Sequence, residues 1–355
     1  ILILNTMNNI KKIRKNLKEK ITIIETTLRD GSYTNNFSFT ITDTQTICQK
    51  LEEVGFNFIE IGHGLGLNAS NSGYGKAVET DENYMIAADG VLSKSKYGMF
   101  CIPGIANLSD LDLCSKHNMD FVRIGTDVTN VSDSEAFIKK AKNYGMFVAA
   151  NYMKSYAMKP EKFAEKVKLS EKYGADMIYI VDSAGGMFSE DIQNYYDSIR
   201  KISDIPIGFH AHDNLGLAIS NNLKAIDIGI NFVDSSLQGL GRSSGNASTE
   251  VLVAALKKRG MCTDIDLIKL LEIGQNYIQP LVTFSGKMPL DIISGYADFH
   301  SSNMNKILKI SEKYNVNPVI LIIEISKINK LDVDEGILEK IAQKISTKHS
   351  SNNLK

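Results

Sequence analysis

Tryptophan is absent from this 355-residue chain, and cysteine and proline are scarce, with four and six residues. The four cysteines stand far apart and form no CxxC pair, at Cys48, Cys101, Cys114 and Cys262. This spacing argues against a disulfide framework and against a cysteine-rich structural zinc site. Isolated cysteines are typical of a reducing compartment, and we predict a cytoplasmic protein.

Neither sign of charge is in excess, because 40 lysines and arginines face 41 acidic residues, for a net charge of −1. The chain therefore has no general field that would attract nucleic acid or an anionic membrane. No apolar run approaches the roughly 18 residues of a membrane span. We expect neither nucleic acid nor a membrane as a partner. Residues 1–20 are lysine-rich with an apolar start too short for a signal sequence, and we interpret them as a basic tail.

Eight short segments rich in β-branched and aromatic residues recur along the chain. They are residues 21–30, 56–64, 97–104, 120–127, 146–153, 176–185, 205–213 and 231–239. Amphipathic helical segments lie between them, with start and stop residues such as Asp43 and Gly55 or Pro160 and Gly174. Eight consecutive βα units predict an α/β fold, a (β/α)8 TIM barrel over residues 21–264. A doubly wound open sheet is the alternative, but no GxGxxG follows the first strand.

The pattern changes after residue 264 to helical segments alone. We predict a small all-helical C-terminal domain over residues 265–345, followed by a polar tail over residues 346–355.

Polar side chains are concentrated where the predicted strands end, which is where barrel enzymes of this kind carry their sites. They are Arg29, Asp30, His63, Asn151, Lys154, Ser183, His210 and His212. Alternation along a strand places His210 and His212 on one face. Barrel closure puts strand one beside strand eight and one strand away from strand seven, and with the Asp30 carboxylate the two histidines form an N/O ligand set for a divalent metal. The alternative is that both histidines are hydrogen-bonded polar residues without a metal.

Three further residues have two interpretations each. Arg29 is either a structural ion-pair partner or a permanent cation that stabilises an enolate. Asn246, in the glycine-rich stretch GLGRSSGN, is either a metal ligand through its amide oxygen or the cap of the next helix. Lys154 is either a Schiff-base lysine or an ordinary surface lysine.

Longer motifs carry a resemblance to a known family. TTLRDG, IEIGHGLGL, YIVDSAG, FHAHDNLGLAISNN, SSLQGLGRSSGN and SGYADFHSSN resemble the metal-dependent TIM-barrel lyases related to 3-hydroxy-3-methylglutaryl-CoA lyase and 2-isopropylmalate synthase. Within that superfamily the chain is most similar to the 4-hydroxy-2-oxovalerate aldolase branch, over about residues 22–345. The resemblance implies a divalent metal, with Mn²⁺ as the first choice and Mg²⁺, Co²⁺ or Zn²⁺ as alternatives.

The resemblance also implies roles for individual residues. The metal ligands fall on Asp30, His210 and His212, the enolate-stabilising arginine on Arg29, the substrate-contacting tyrosine of the C-terminal domain on Tyr296, and the polar residue beside the keto acid on Ser183. We add His63 and Lys154 as predicted substrate-binding residues. Tyr33 stands where the family has its catalytic histidine base, and Tyr156 replaces a second loop histidine. We predict that Tyr33, or a water that it holds, exchanges the proton of the 4-hydroxyl.

The resulting hypothesis is a metal-dependent aldolase that forms or cleaves a 4-hydroxy-2-oxo acid through a pyruvate-type enolate. Tyrosine has an ordinary pKa of about 10 against about 6.5 for histidine, and so is a poorer base at neutral pH. For that reason we predict a substrate other than 4-hydroxy-2-oxovalerate itself. The alternatives are a Claisen condensing enzyme that uses acetyl-CoA, a Schiff-base aldolase, and a non-catalytic partner protein. The resemblance further implies a small 2-oxo acid as ligand, an acylating aldehyde dehydrogenase as partner, and a homo-oligomer.

Overall fold

Eight parallel strands close into a barrel in sequence order in the computed structural model, which describes residues 21–261, 264–282 and 288–352. They are β1 (Thr22–Glu25), β2 (Phe58–Ile61), β3 (Lys96–Cys101), β4 (Phe121–Asp127), β5 (Phe147–Met153), β6 (Met177–Asp182), β7 (Ile207–Ala211) and β8 (Phe232–Ser235). Each falls inside a predicted segment or within one residue of it, and the prediction of a TIM barrel is confirmed. The predicted basic tail, residues 1–20, lies outside the described residues.

Helices follow the strands and cover the outside of the barrel. Those of the barrel region are α1 (Ile41–Val54), α2 (Asp81–Asp89), α3 (Asp110–Lys116), α4 (Glu135–Asn143), α5 (Pro160–Tyr173), α6 (Ser189–Arg200), α7 (Ala218–Asp227), α8 (Thr249–Lys258) and α9 (Leu267–Ile273). Four more complete the described chain, namely α10 (Pro289–Ala297), α11 (Met304–Tyr314), α12 (Pro318–Ser326) and α13 (Glu335–Asn352).

The ends of α5 and α1 lie at or near their predicted capping residues. In α5, Pro160 occupies the first turn and Gly174 ends the helix at φ +104°, as predicted. In α1, however, the N-cap is Thr40 rather than Asp43. The Thr40 hydroxyl accepts the Asp43 backbone N–H at 3.1 Å, and the Asp43 carboxylate accepts the Thr40 N–H at 2.9 Å. This reciprocal capping box starts the helix earlier than a lone Asp43 would.

The first strand ends five residues before the predicted position, at Glu25 instead of residue 30. The Thr26 carbonyl accepts the backbone N–H groups of Arg29, Asp30 and Gly31 at 3.1, 2.8 and 3.3 Å. The chain thereby leaves the sheet and enters a 3-10 turn, Asp30–Tyr33. Strand alternation no longer applies there, and this is why Arg29 and Asp30 can both face the mouth of the barrel.

The lower part of the barrel interior is apolar and aromatic. Its buried residues are Ile24, Phe121, Ala149, Met177, Tyr179, Val181 and Phe232. Gly208 on β7 makes room for this layer, because a Cβ there would lie 2.4 Å from the Tyr179 ring. A filled interior leaves the carboxyl ends of the strands as the place for a site.

The C-terminal helices have a hydrophobic cluster of their own. It contains Phe299, Ile307, Ile310, Val316, Leu321, Ile322, Ile325, Val333, Leu338 and Ala342. Leu270 and Ile273 of α9 instead join the barrel cluster, so the two cores divide later in the chain than the predicted boundary at residue 265. Helix α13 also continues to Asn352, into the segment predicted as a polar tail. No helix among the described residues has the length and apolarity needed to cross a bilayer.

The separate C-terminal cluster gives a stability prediction. Ile322 is fully buried in it, whereas Ile328, just after the same helix, is 59% exposed. We expect Ile322→Ala to lower the free energy of unfolding by about 2–5 kcal/mol, because it leaves a cavity. Ile328→Ala removes the same atoms from the surface and should change it by less than about 0.5 kcal/mol. Urea unfolding of both variants measures this, and equal effects would contradict the burial of Ile322.

Candidate active site

Asp30, His210 and His212 meet at the carboxyl end of the barrel. Asp30 begins the 3-10 turn after β1, His210 lies on β7, and His212 follows that strand. One ligand atom from each lies within 4.8 Å of the others, and the Asp30 Oδ2 to His210 Nε2 distance is 4.0 Å. All three side chains are buried, with exposed fractions of 2%, 4% and 7%. The predicted trio is therefore brought together.

Both imidazoles are oriented by hydrogen bonds on their far side. His210 Nδ1 donates to Asp234 Oδ2 at 2.8 Å, and His212 Nδ1 donates to the Gly245 carbonyl at 3.3 Å. Each Nε2 is consequently left as an acceptor. Such outer partners fix the tautomer and ring direction of metal-binding histidines.

The protonation states suit a cation. Burial alone would raise the pKa of Asp30, but the Arg29 charge and the two neighbouring histidines hold it well below its ordinary value. Burial lowers the pKa of His212 to about 4. An ionised carboxylate and a neutral imidazole are the forms that bind metal ions.

Asn246 adds an amide to this group. Its Nδ2 donates to Asp30 Oδ2 at 2.6 Å, while its Oδ1 is buried without a hydrogen-bond partner in the part of the chain that the structure describes. The helix that follows, α8, has Ser248 at its N-cap, so Asn246 is not that cap. A buried, unpaired oxygen beside three converging donors fits a bound divalent cation.

A network of buried ion pairs lies directly beneath the trio. Arg123, with no exposed surface, donates to Glu60 at 3.0 Å and to Asp234 at 2.5 Å. Glu60 also accepts from Arg29 Nε at 2.7 Å, and Arg29 Nη1 donates to Asp30 at 2.7 Å. Arg29 is thus both a structural ion-pair partner and a residue of the site. Glu60, Arg123 and Asp234 were not among the predicted site residues, although a charged residue within an apolar strand is a visible signal.

The trio opens into a cleft at the mouth of the barrel. Its walls are Arg29, Asp30, Tyr33, Gly64, Leu65, Phe100, Ile102, Asn151, Met153, Val181, Ser183, His210, His212, Arg242 and His300. The cleft therefore combines the trio and Arg29 with apolar walls and a few polar side chains. This is the composition expected of a site for a small polar molecule.

Tyr33 lines the cleft from the 3-10 turn. A Cβ at Gly64 would lie 2.5 Å from its ring, so glycine is required there for the ring to take this place. The Arg242 guanidinium carbon lies 5.2 Å from the ring centroid. Burial raises the pKa of Tyr33 above its ordinary value, although Arg242 opposes this. The phenol consequently keeps its proton at neutral pH.

Ser183 lines the cleft as predicted, but three other predicted residues do not. His63 stacks on Phe37 at 3.8 Å, and its two ring nitrogens contact backbone groups of Gly75 and Leu65. Lys154 is tied to Asp127 at 3.1 Å and to the Leu331 carbonyl at 2.9 Å. Tyr296 is 71% exposed. His63 and Lys154 thus bond to backbone groups outside the cleft walls, and Tyr296 does not line the cleft either.

The C-terminal part supplies a different residue, His300, which lines the cleft and was missed in the sequence analysis. Arg242, from the glycine-rich loop after β8, was also missed. Both stand in stretches that carried the family resemblance, but single residues in loops give no periodic signal. Their position required the folded structure.

The chain matches a known protein family over most of its length. The HMGL-like family model matches residues 20–276, which is more than half of the chain. The chain belongs to the HMGL-like family. The family resemblance inferred from TTLRDG and FHAHD is thereby confirmed.

Similarity to individual relatives extends beyond residues 20–276. A 4-hydroxy-2-oxovalerate aldolase of Carboxydothermus hydrogenoformans is 37% identical over 93% of this chain and 98% of its own length. One from Pelotomaculum thermopropionicum is 36% identical, with the same coverage of both chains. The HMG-CoA lyase of Brucella melitensis has the same fold, with a TM-score of 0.63, 20% identity, and coverage of 74% of this chain and 99% of its own. The prediction of an enzyme of the aldolase kind is confirmed.

The buried network of this HMGL-like chain gives a second stability prediction. Arg123→Met leaves Glu60 and Asp234 buried without their shared cation, so we expect the free energy of unfolding to fall by about 3–5 kcal/mol. Arg259 also contacts a carboxylate, Asp227, at 2.8 Å, but both side chains are about 40% exposed. Arg259→Met should therefore cost less than about 1 kcal/mol. Urea titrations compare the two, and similar losses would refute the structural importance of Arg123.

Asp234 provides a test of the metal site through its contact with His210. Asp234→Asn removes the negative charge that holds the His210 ring, and we expect Mn²⁺ affinity to fall about 10–100-fold. Asp227→Asn, the same change at the surface, should leave the affinity unaltered. Free Mn²⁺ measured by electron paramagnetic resonance reports both. Equal affinities in the wild type and Asp234→Asn would show that His210 does not take part.

Proposed function

We propose that this chain is a divalent-metal-dependent aldolase that cleaves or forms a 4-hydroxy-2-oxo acid through a pyruvate-type enolate. The observation that carries the proposal is the convergence of Asp30, His210 and His212 beside Arg29, in one cleft of an HMGL-like chain. The relatives' names support the aldolase reaction.

Asp30, His210 and His212 would hold the metal, with the unpaired Oδ1 of Asn246 close by. When bound there, a divalent ion supplies Lewis-acid stabilisation of negative charge on a 2-oxo acid. One carboxylate and two imidazoles suit Mn²⁺, and Mg²⁺, Co²⁺ and Zn²⁺ belong to the same set of candidates. We propose Mn²⁺ as the first ion to test.

Arg29 contributes a permanent positive charge at the floor of the cleft. Its Nε and Nη1 atoms are held by Glu60 and Asp30, so the guanidinium cannot swing away as the substrate changes charge. A fixed cation of this kind stabilises an enolate without reorganisation. We propose that Ser183, at the end of β6, orients the keto acid through its hydroxyl.

We assign Tyr33 a donor role. Because burial raises its pKa, the phenol is a hydrogen-bond donor to substrate oxygen rather than a base. In the proposed cleavage, water takes the proton of the C4 hydroxyl. The replacement of histidine by Tyr33 led us to expect a substrate other than 4-hydroxy-2-oxovalerate, but the relatives' names do not support that exclusion. We therefore propose 4-hydroxy-2-oxovalerate as the first member of a panel of 4-hydroxy-2-oxo acids.

The competing reactions have less support. A Schiff base at Lys154 would require its ammonium to leave Asp127 and Leu331 for a cleft that it does not line. A Claisen condensation shares the metal site, but the aldolase relatives match 93% of the chain, including its C-terminal part. The acylating aldehyde dehydrogenase partner, the homo-oligomer and the cytoplasmic location stay predictions. Buried, free Cys48, Cys101 and Cys114 are consistent with the last.

The experiment is pyruvate release from 4-hydroxy-2-oxovalerate and its homologues, measured with a coupled lactate dehydrogenase assay. We expect activity that a chelator removes and Mn²⁺ restores, and that Asp30→Asn abolishes. Glu82→Gln, a change at an exposed ion pair, serves as the control. Cleavage that persists in chelator, or borohydride trapping of a substrate on Lys154, would exclude the proposed mechanism.

A further inference from the structure

The cleft has one wall that the barrel does not build, and His300 stands in it. Helix α10 ends at Ala297, Asp298 takes a left-handed conformation with φ +52°, and the chain reverses. Phe299 then inserts into the C-terminal core with 2% exposure. The next residue, His300, consequently points the other way and lines the cleft with 9% exposure.

The hydrogen bonds of His300 define which ring nitrogen carries the proton. The Ser302 backbone N–H donates to Nδ1 at 3.2 Å, and the Ser302 hydroxyl lies 2.7 Å from the same nitrogen. Because Nδ1 accepts, the proton of the neutral ring is on Nε2. No hydrogen bond to Nε2 is present within the described residues. The free N–H edge of the ring is therefore the edge opposite Ser302.

The position of His300 also keeps the ring neutral. It caps the 3-10 turn Ser301–Asn303, which continues directly into α11. The positive end of that helical stretch disfavours an imidazolium. Burial, reinforced by the charges of Arg242 and Lys154, lowers the pKa of His300 well below its ordinary value. A neutral imidazole at a helix N-terminus can polarise a carbonyl oxygen as a hydrogen-bond donor.

The trio and Arg29 belong to the barrel and His300 belongs to the C-terminal part, and all of them line one cleft. A keto acid held by the trio and Arg29 would therefore present its C4 oxygen to the C-terminal wall. We infer that His300 is a catalytic residue that donates a hydrogen bond from Nε2 to the C4 oxygen of the 4-hydroxy-2-oxo acid. This inference rests on the proposed function. In this role, the C-terminal part stabilises the negative charge on the C4 oxygen while the C3–C4 bond breaks or forms.

The bond changes balance without a proton from His300. In cleavage, water takes the C4 hydroxyl proton, and the O–H electron pair becomes the second bond of the aldehyde carbonyl. The C3–C4 electron pair passes into the enolate of pyruvate. The enolate then takes a proton at C3 from water, which restores the proton count. His300 keeps its Nε2 proton throughout.

Two variants separate the donor role from helix capping. His300→Asn retains a side-chain oxygen that can cap the helix, but it has no donor at the Nε2 position. His300→Gln places an amide N–H near that position. We expect His300→Asn to keep thermal stability and lose kcat for cleavage about 100–1,000-fold. His300→Gln should retain about tenfold more cleavage than His300→Asn, because one donor hydrogen bond is preserved. His117→Asn, at a histidine that contacts Glu82 on the outer surface, is the matched control.

Exchange of the pyruvate methyl protons in D2O, measured by NMR, tests the proposed function separately from the proposed role of His300. It requires enolate formation but no aldehyde oxygen, so His300→Asn should keep exchange within about threefold of wild type. A wild-type protein that catalyses neither exchange nor cleavage would overturn the proposed function. If the wild type is active in both assays, two results for His300→Asn would overturn the role of His300 at the C4 oxygen. One is a loss of cleavage of less than about tenfold. The other is an equal loss of exchange and of cleavage.

Discussion

The ion pairs of Arg123 are the interaction on which the site depends. This arginine is completely buried and lies between Glu60 and Asp234, and it also packs 4.3 Å above the Tyr179 ring. Each carboxylate then reaches one part of the site, because Glu60 holds Arg29 and Asp234 holds His210. Two buried carboxylates without their shared cation would be costly to desolvate. The same residue thus stabilises the barrel and orients the groups above it.

Much of the barrel was predictable from the sequence, since each strand is a short apolar segment and some of the helices between them have recognisable caps. Strand alternation was enough to place His210 and His212 together, and barrel closure brought Asp30 to them. The ion-pair network was less accessible. Glu60, Arg123 and Asp234 lie on three different strands, so their pairing depends on the tilt and register of the strands. No local sequence pattern predicts these two quantities.

Residues in loops were the least predictable. His63 and Lys154 follow strands, as site residues do, yet hydrogen bonds direct their side chains to the backbone carbonyls of Gly75 and Leu331. Tyr296 and His300 stand four residues apart in one motif, and the left-handed turn at Asp298 between them decides which one faces the cleft. The early end of β1 has the same origin, because three N–H groups converge on the Thr26 carbonyl and draw the chain out of the sheet. Such turns are set by a few hydrogen bonds rather than by periodicity.

The two walls of the cleft belong to bodies with separate hydrophobic cores, and only the barrel wall falls inside residues 20–276. Substitutions that repack the C-terminal helices shift His300 and leave the carboxylate and imidazoles of the barrel where they are. Sequence divergence among enzymes of this architecture can therefore change the contacts to one half of the bound molecule at a time. In the proposed reaction, aldehyde preference would then change through substitutions in the smaller body, while the barrel residues assigned to pyruvate stay as they are.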